Sequence, residues 1–182
     1  DYKNSLKYYK LSLEKNSCDE KILNEIGVLF LKLNHYETAL IYFKKALTIN
    51  PKSIKTKYNI ASTLKDAGKF KQAKNLLNEI IEEQPNNFYA HIKLGEVFCN
   101  SGHFNKGMTY FNKAINLSKD NKDLYSLLLF FSNYSPTMSA EEIFEHYKLF
   151  DQRFGLPHKY KWKTFSQPKV PKSKLKIGYV SP

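Results

Sequence analysis

Several positions of this chain recur at an interval of 34 residues. Gly27, Ala61 and Gly95 mark one of them, and Ala39, Ala73 and Gly107 a second. Phe30, Leu64 and Phe98 mark a third; Tyr36, Phe70 and Phe104 a fourth; Phe43, Leu77 and Phe111 a fifth. A unit of this size cannot close a core of its own, so it must bury its apolar face on its neighbours. The interval therefore predicts a stack of helical hairpins, with a long surface suited to holding a partner.

Counting from Glu20, the units cover 20–53, 54–87 and 88–121. In each, the recurring apolar residues fall at helical spacing: Leu23, Ile26 and Phe30, then Ile60 and Leu64, then Leu94 and Phe98. A second helix follows, carried by Tyr36, Ala39, Phe43 and Ala46 and by their counterparts in the later units. Small residues at Gly27 and Ala39 let the two helix axes approach, and Phe30 and Phe43 fill the space beside the crossing. Asn34, Gly68 and Gly102 stand where the first helix must stop, and these residue types tolerate a left-handed backbone. Pro51 and Pro85 close the first two units. Lys119 stands in the third, so its second helix is expected to run on or to turn less sharply.

Composition narrows the function classes. With 42% hydrophobic residues and few glycines or prolines, the chain reads as folded and mostly helical. The longest nearly unbroken apolar run, residues 124–131, is too short to span a bilayer. The residues at the start do not read as a secretory signal. Cys18 and Cys99 have neither metal-ligand spacing nor a disulfide framework, which fits a reducing, cytoplasmic setting. The formal charge of +12 owes much to Lys159, Lys161, Lys163, Lys169, Lys172, Lys174 and Lys176, a stretch without acids. Such a stretch reads as a solvated linker, whereas nucleic-acid binding calls for basic residues gathered with aromatics on one folded face.

The combination of small, aromatic and turn positions at this interval resembles the tetratricopeptide repeat over residues 20–121. Tyr2, Ser5, Tyr9 and Ser12 lie one interval before Tyr36, Ala39, Phe43 and Ala46, so residues 1–19 are expected to be the second helix of a truncated repeat. In that family the first helices line a concave groove. The resemblance implies that a peptide or acceptor protein would meet Asn24, Glu25, Tyr58, Asn59, Ser62, Tyr89, Lys93 and Glu96 there. Of the carboxylate clamp that some relatives use, Asn59 and Lys93 match two positions, while Asn24, Val28 and Tyr89 depart from it. Of the asparagine ladder of O-GlcNAc transferase, at Glu25, Asn59 and Lys93, Asn59 alone keeps the asparagine.

After Asn121 the interval is expected to stop, because the next unit needs a small residue at Leu129. Transition helices are expected over 122–155: an apolar one through Leu124, Leu127, Leu128, Phe130 and Phe131, then one opened by a Ser139–Glu142 capping box. Phe144, Tyr147, Leu149, Phe150 and Phe154 are expected to form the apolar face of the latter. Residues 156–173 read as an extended basic linker anchored by Trp162 and Phe165, and 174–182 as one strand without a partner. The segments SNYSPTMSAEEIFEHYKLFDQRFG (132–155) and KLKIGYVSP (174–182) resemble the junction between repeats and catalytic domain in O-GlcNAc transferase-like and SPINDLY-like glycosyltransferases. That resemblance implies the non-catalytic front of a protein O-glycosyltransferase, using UDP-N-acetylglucosamine and modifying Ser or Thr, with the catalytic domain following. No catalytic, cofactor-binding or metal-binding residue is assigned within these residues. The alternative is a protein-interaction scaffold with no associated enzyme.

Overall fold

A computed structural model of the chain describes residues 19–161 together with Asn4, Tyr8, Tyr9 and Leu11, which are helical. Besides those four residues, eight α-helices can be delimited among the described residues, and there is no strand there. They are α1 (Glu20–Lys32), α2 (Tyr36–Ile49), α3 (Ile54–Asp66), α4 (Phe70–Glu83), α5 (Phe88–Asn100), α6 (Phe104–Leu117), α7 (Lys122–Asn133) and α8 (Ala140–Phe150). Odd and even helices pair into antiparallel hairpins. Each of α3 and α5 also touches the first helix of the unit before it.

The helix starts have a common cause. Asp19, Ser53, Asn87 and Asn121 recur at the repeat interval, and each places a side-chain oxygen on a backbone N–H of the first turn. Asp19 accepts from Lys21 and Ile22, Ser53 from Thr56, Asn87 from Ala90, and Asn121 from Leu124. The cap at Asn121 corrects the reading of Lys119. Helix α6 ends at Leu117, in step with Ile49 and Glu83, because the chain must turn to place this cap.

The turns inside the hairpins are equally regular. Asn34, Gly68 and Gly102 have φ of 59°, 72° and 82°. Behind them, the N–H groups of His35, Lys69 and His103 donate to the carbonyls of Phe30, Leu64 and Phe98 at 2.9, 2.7 and 2.8 Å. This is the Schellman closure that a left-handed residue permits.

The hairpin crossing is a matched pair of sizes. In the first and third units the ring of a phenylalanine lies flat on a glycine. A Cβ on Gly27 would stand 2.5 Å from Phe43, and one on Gly95 would stand 2.6 Å from Phe111. In the second unit Ala61 faces Leu77, and both are buried. Phe43 and Phe111 therefore occupy the crossing itself rather than the space beside it. Phe30 and Phe98 stack against Tyr42 and Tyr110 of the second helices at 5.6 and 5.4 Å.

The period carries one helix further than Asn121, since α7 starts at Lys122 in register with its predecessors. It then degrades. Leu129 occupies the crossing position, and a side chain of that size keeps the next helix from approaching closely. Helix α8 starts with the expected capping box, but none of its residues is buried. Phe144, Tyr147 and Leu149 are exposed rather than forming a buried face. The inward stripe is Ile143, His146, Phe150 and Phe154, with Phe154 edge-on to Tyr125 at 5.2 Å. Polar contacts complete the junction. Ser132 donates to the Leu128 carbonyl at 2.7 Å, and its hydroxyl lies 2.8 Å from His146 Nδ1. Residues 151–155 form a π-helical turn. Leu156–Lys161 is a 3-10 helix, where an extended linker was expected. The remainder of that linker and the predicted strand at 174–182 lie outside the described residues.

The size pairing predicts a specific rescue. Gly95→Ala gains helix propensity of about 1 kcal/mol but drives a methyl into the Phe111 ring, and is expected to destabilise by about 1–3 kcal/mol net. Phe111→Leu, which reproduces the Ala61–Leu77 pair, should make the double variant distinctly more stable than the sum of the single changes. Urea unfolding of all four proteins of the cycle measures this, and strict additivity would refute the pairing.

Candidate functional site

The inward residues of α1, α3 and α5 divide into those that the stack consumes and those that it leaves available. Asn24 belongs to the first group. It is 2% exposed, and its amide is fully engaged. Asn24 Nδ2 donates to the Glu20 carbonyl at 3.1 Å and to Thr56 Oγ1 at 2.9 Å, while its Oδ1 accepts from Asn59 Nδ2 at 3.2 Å. The expected groove contact is therefore a fastener between repeats. A fully buried amide is retained only when every polar atom finds a partner, and Thr56 and Asn59 supply them.

This bond is one link of a directed chain. Asn59 donates to Asn24, Asn24 to Thr56, Thr56 to Ser53 at 2.8 Å, and Ser53 to the Glu20 carboxylate at 2.5 Å. Asn50 Nδ2 donates to the second Glu20 oxygen at 3.0 Å. Every hydrogen points toward the charge, which polarises the successive bonds in the same sense. Hydrogen bonds from Ser53 and Asn50 hold the Glu20 carboxyl below its usual range. The consequence for the groove is orientational: one Asn59 N–H is bound into the stack, which fixes the face its amide presents to the concavity.

Tyr58 is likewise held. Its hydroxyl donates to Asn87 Oδ1 at 2.6 Å, the same oxygen that caps α5. Burial pushes the phenol up to about 12, against the pull of the Asn87 hydrogen bond. Glu96 is buried and receives Lys65 at 3.3 Å and Lys93 at 2.9 Å. Lys65 is also 3.3 Å from Asp66. Burial works against the Lys65 charge, but the carboxylates of Glu96 and Asp66 outweigh it and hold the ammonium above its ordinary range.

Glu25, Asn59, Ser62, Tyr89 and Lys93 keep surface of their own. Glu25 pairs loosely with Lys55 of the next unit at 3.7 Å. Tyr89 is 54% exposed, with its ring against Phe88 at 4.1 Å. The available lining is thus a short series of amide, hydroxyl, phenol and ammonium groups on a rigid floor. It offers donors and acceptors at fixed places, which suits the backbone of an extended segment. Among the described residues, no group of three or more His, Cys, Asp or Glu side chains is placed to hold a metal ion. Nor is any helix there long and apolar enough to cross a membrane.

Two changes separate the fastening role from a binding role. Asn24→Ala strands Asn59 and Thr56 and is expected to cost about 1–3 kcal/mol of stability, read as a lower urea midpoint. A stability unchanged by Asn24→Ala would return this residue to the groove. Because the folded Glu20 pKa lies below its unfolded value, its contribution is complete above the usual carboxylate range. It fades as pH falls through the folded value. Glu20→Gln should therefore flatten the acid side of the stability–pH profile, and an identical acid limb in both proteins would count against the chain of hydrogen bonds.

Comparison with known proteins fits this geometry. The anaphase-promoting complex subunit CDC16 of Saccharomyces cerevisiae is 26% identical over 128 residues, covering 66% of this chain and 15% of the relative. The human protein O-mannosyl-transferase TMTC1 is 24% identical over 123 residues, covering 68% of this chain and 14% of the relative. The chain thus spans about 15% of the length of these relatives. Among solved structures, residues 41 to the end of MamA from Desulfovibrio magneticus RS-1 superpose with a TM-score of 0.65 at 20% identity, covering 87% of this chain and 86% of that one. YrrB, described as a TPR protein with an unusual peptide-binding site, gives 0.59 at 18%, covering 88% and 84%. These likenesses show a shared fold. The family model for the tetratricopeptide repeat matches residues 30–94 and again 64–129, which together span more than half of the sequence, and the chain belongs to that family.

Proposed function

We propose that this chain is the protein-binding portion of a protein O-glycosyltransferase, holding an extended segment of the acceptor along the concave face of α1, α3 and α5. The observation that carries the binding role is the contrast within the lining. Asn24 and Glu96 are buried in the stack and Tyr58 is tied to Asn87, while Glu25, Asn59, Ser62, Tyr89 and Lys93 keep surface of their own, Asn59 and Lys93 oriented by their bonds to Asn24 and Glu96. A lining fixed before binding loses little conformational entropy on association. Holding the acceptor beside a catalytic domain raises its effective concentration there, so a weak groove suffices.

The transferase part of the reading rests on the resemblance of segments 132–155 and 174–182 to the repeat–catalytic junction of O-GlcNAc transferase-like and SPINDLY-like enzymes. Similarity to the protein O-mannosyl-transferases TMTC1 and TMTC3 supports an association of such repeats with sugar transfer to proteins. By the junction resemblance the sugar is N-acetylglucosamine from its UDP donor, passed to Ser or Thr by residues beyond this chain. Similarity to CDC16, a subunit of the anaphase-promoting complex, supports the protein-binding part of the second reading, a scaffold with no associated enzyme. In both readings the setting is the cytoplasm.

The first measurement tests the groove residues within the transferase reading, and the second separates the two readings. In the full-length protein, Asn59→Ala combined with Lys93→Ala should lower kcat/KM for a protein acceptor by about tenfold, while hydrolysis of the sugar donor is unchanged. An equal loss in both activities would place these residues outside acceptor binding. An open reading frame that ends shortly after Pro182, without a nucleotide-sugar domain, would leave the adaptor.

A further inference from the structure

Helix α7 carries the lining one station past Asn100. One repeat length beyond Glu96 and Asn100 stand Phe130 and Tyr134. Their rings are 54% and 65% exposed, with centroids 4.9 Å apart. The earlier stations at these two positions carry no aromatic: Val28, Ser62 and Glu96 at one, Lys32, Asp66 and Asn100 at the other. An adjoining pair of exposed rings at the end of a polar lining is a local break in its chemistry.

A hollow of about 260 Å³ lies beside them, walled by Cys99, Phe104 and Phe131. It exists because α7 rests on α6 and makes little contact with α5, unlike the close approach of α3 to α5. Phe131 stacks on Phe111 at 5.3 Å, and it stands where the smaller Thr63 and Val97 stand in the earlier units. Cys99 is buried, and burial pushes its thiol up to about 12, so this wall is uncharged and behaves as a small apolar surface. An apolar cavity of roughly 150 Å³ is enough for a benzene ring, so this one has room for a phenyl or indole group. A second hollow of about 250 Å³ shares Phe104 and is lined by Lys106 and His103. Neither lining contains a carboxylate. Lys106 lies 6.0 Å from the Phe98 ring and has no ion-pair partner among the described residues.

We propose that this end of the groove is an anchor site for an aromatic side chain of the bound segment, with an acidic residue of that segment placed beside it against Lys106. The proposal rests on the groove reading above and adds the composition of what the groove selects. The apolar hollow supplies the anchoring area, and the unmatched cation supplies the sign of the neighbouring charge.

Selection of random peptides displayed on phage, using the 182-residue chain as bait, tests it. Enriched peptides should share an aromatic residue next to Asp or Glu. Phe130→Ala combined with Tyr134→Ala, both exposed and so neutral for folding, should weaken a selected peptide by about tenfold or more in calorimetry. Lys106→Gln should relax the preference for the acid while keeping the aromatic. Peptides that depend on Asn59 and Lys93 but show no aromatic preference would overturn the anchor and leave the groove standing. Enrichment of nothing, with the bait folded by circular dichroism, would overturn both.

Discussion

The structure depends first on the contact between a flat ring and a glycine at the hairpin crossing. Phe43 against Gly27 and Phe111 against Gly95 bring two helices so close that no Cβ fits between them. Close approach lets both helices share one buried layer with the next unit, and Ile26, Phe43, Leu77, Leu94 and Phe111 are accordingly inaccessible or nearly so. The middle unit solves the same problem with Ala61 and Leu77. Interior packing tolerates such exchanges only when total volume is kept, so the two residues must change together. Spacing at the crossing thus fixes how closely the two helices of one hairpin pack.

A second constraint couples that packing to the concave surface. The chain of hydrogen bonds from Asn59 through Asn24, Thr56 and Ser53 to Glu20 runs across the interface between α1 and α3. It sits beneath the lining, so an inward residue such as Asn59 is oriented by the stack's own interior. Tyr58 does the same between α3 and the cap of α5. Residues that a family resemblance assigns to ligand binding are here split between holding the floor and standing on it.

Much of this was legible in the sequence. The hairpin count within 20–121, the small crossing residues and the left-handed turns follow from Gly27, Ala39, Asn34 and their equivalents, because steric demands at those points admit few residue types. The cap series Asp19, Ser53, Asn87 and Asn121 lies at the same interval and marks the end of α6 more reliably than proline does, since a cap is kept at Asn121 where Lys119 replaces the proline. The burial of Asn24 was not legible, since polarity at an inward position reads the same whether its partner is Thr56 or a ligand. Phe130 and Tyr134 could have been found by extending the inward register one interval further. The small residue missing at Leu129 hid them. That residue governs the approach of α8 and has no bearing on which side chains α7 turns inward.

The charge pattern shows how such a surface can discriminate. Glu25 with Lys55, and Glu96 with Lys65 and Lys93, neutralise most of the lining before any partner arrives. At those places an incoming carboxylate would have to displace a pair already made, and the Glu96 pairs are held in a buried setting where breaking them is costly. Long-range attraction is therefore a small part of what this floor offers, and association with it should depend only weakly on salt. What remains is geometry: fixed amides and hydroxyls that fit an extended backbone, and a hollow beside Phe130 and Tyr134 that admits a ring. Selectivity built this way comes from shape and from unmatched groups. It survives the high background of charged proteins that a generally basic surface would otherwise collect.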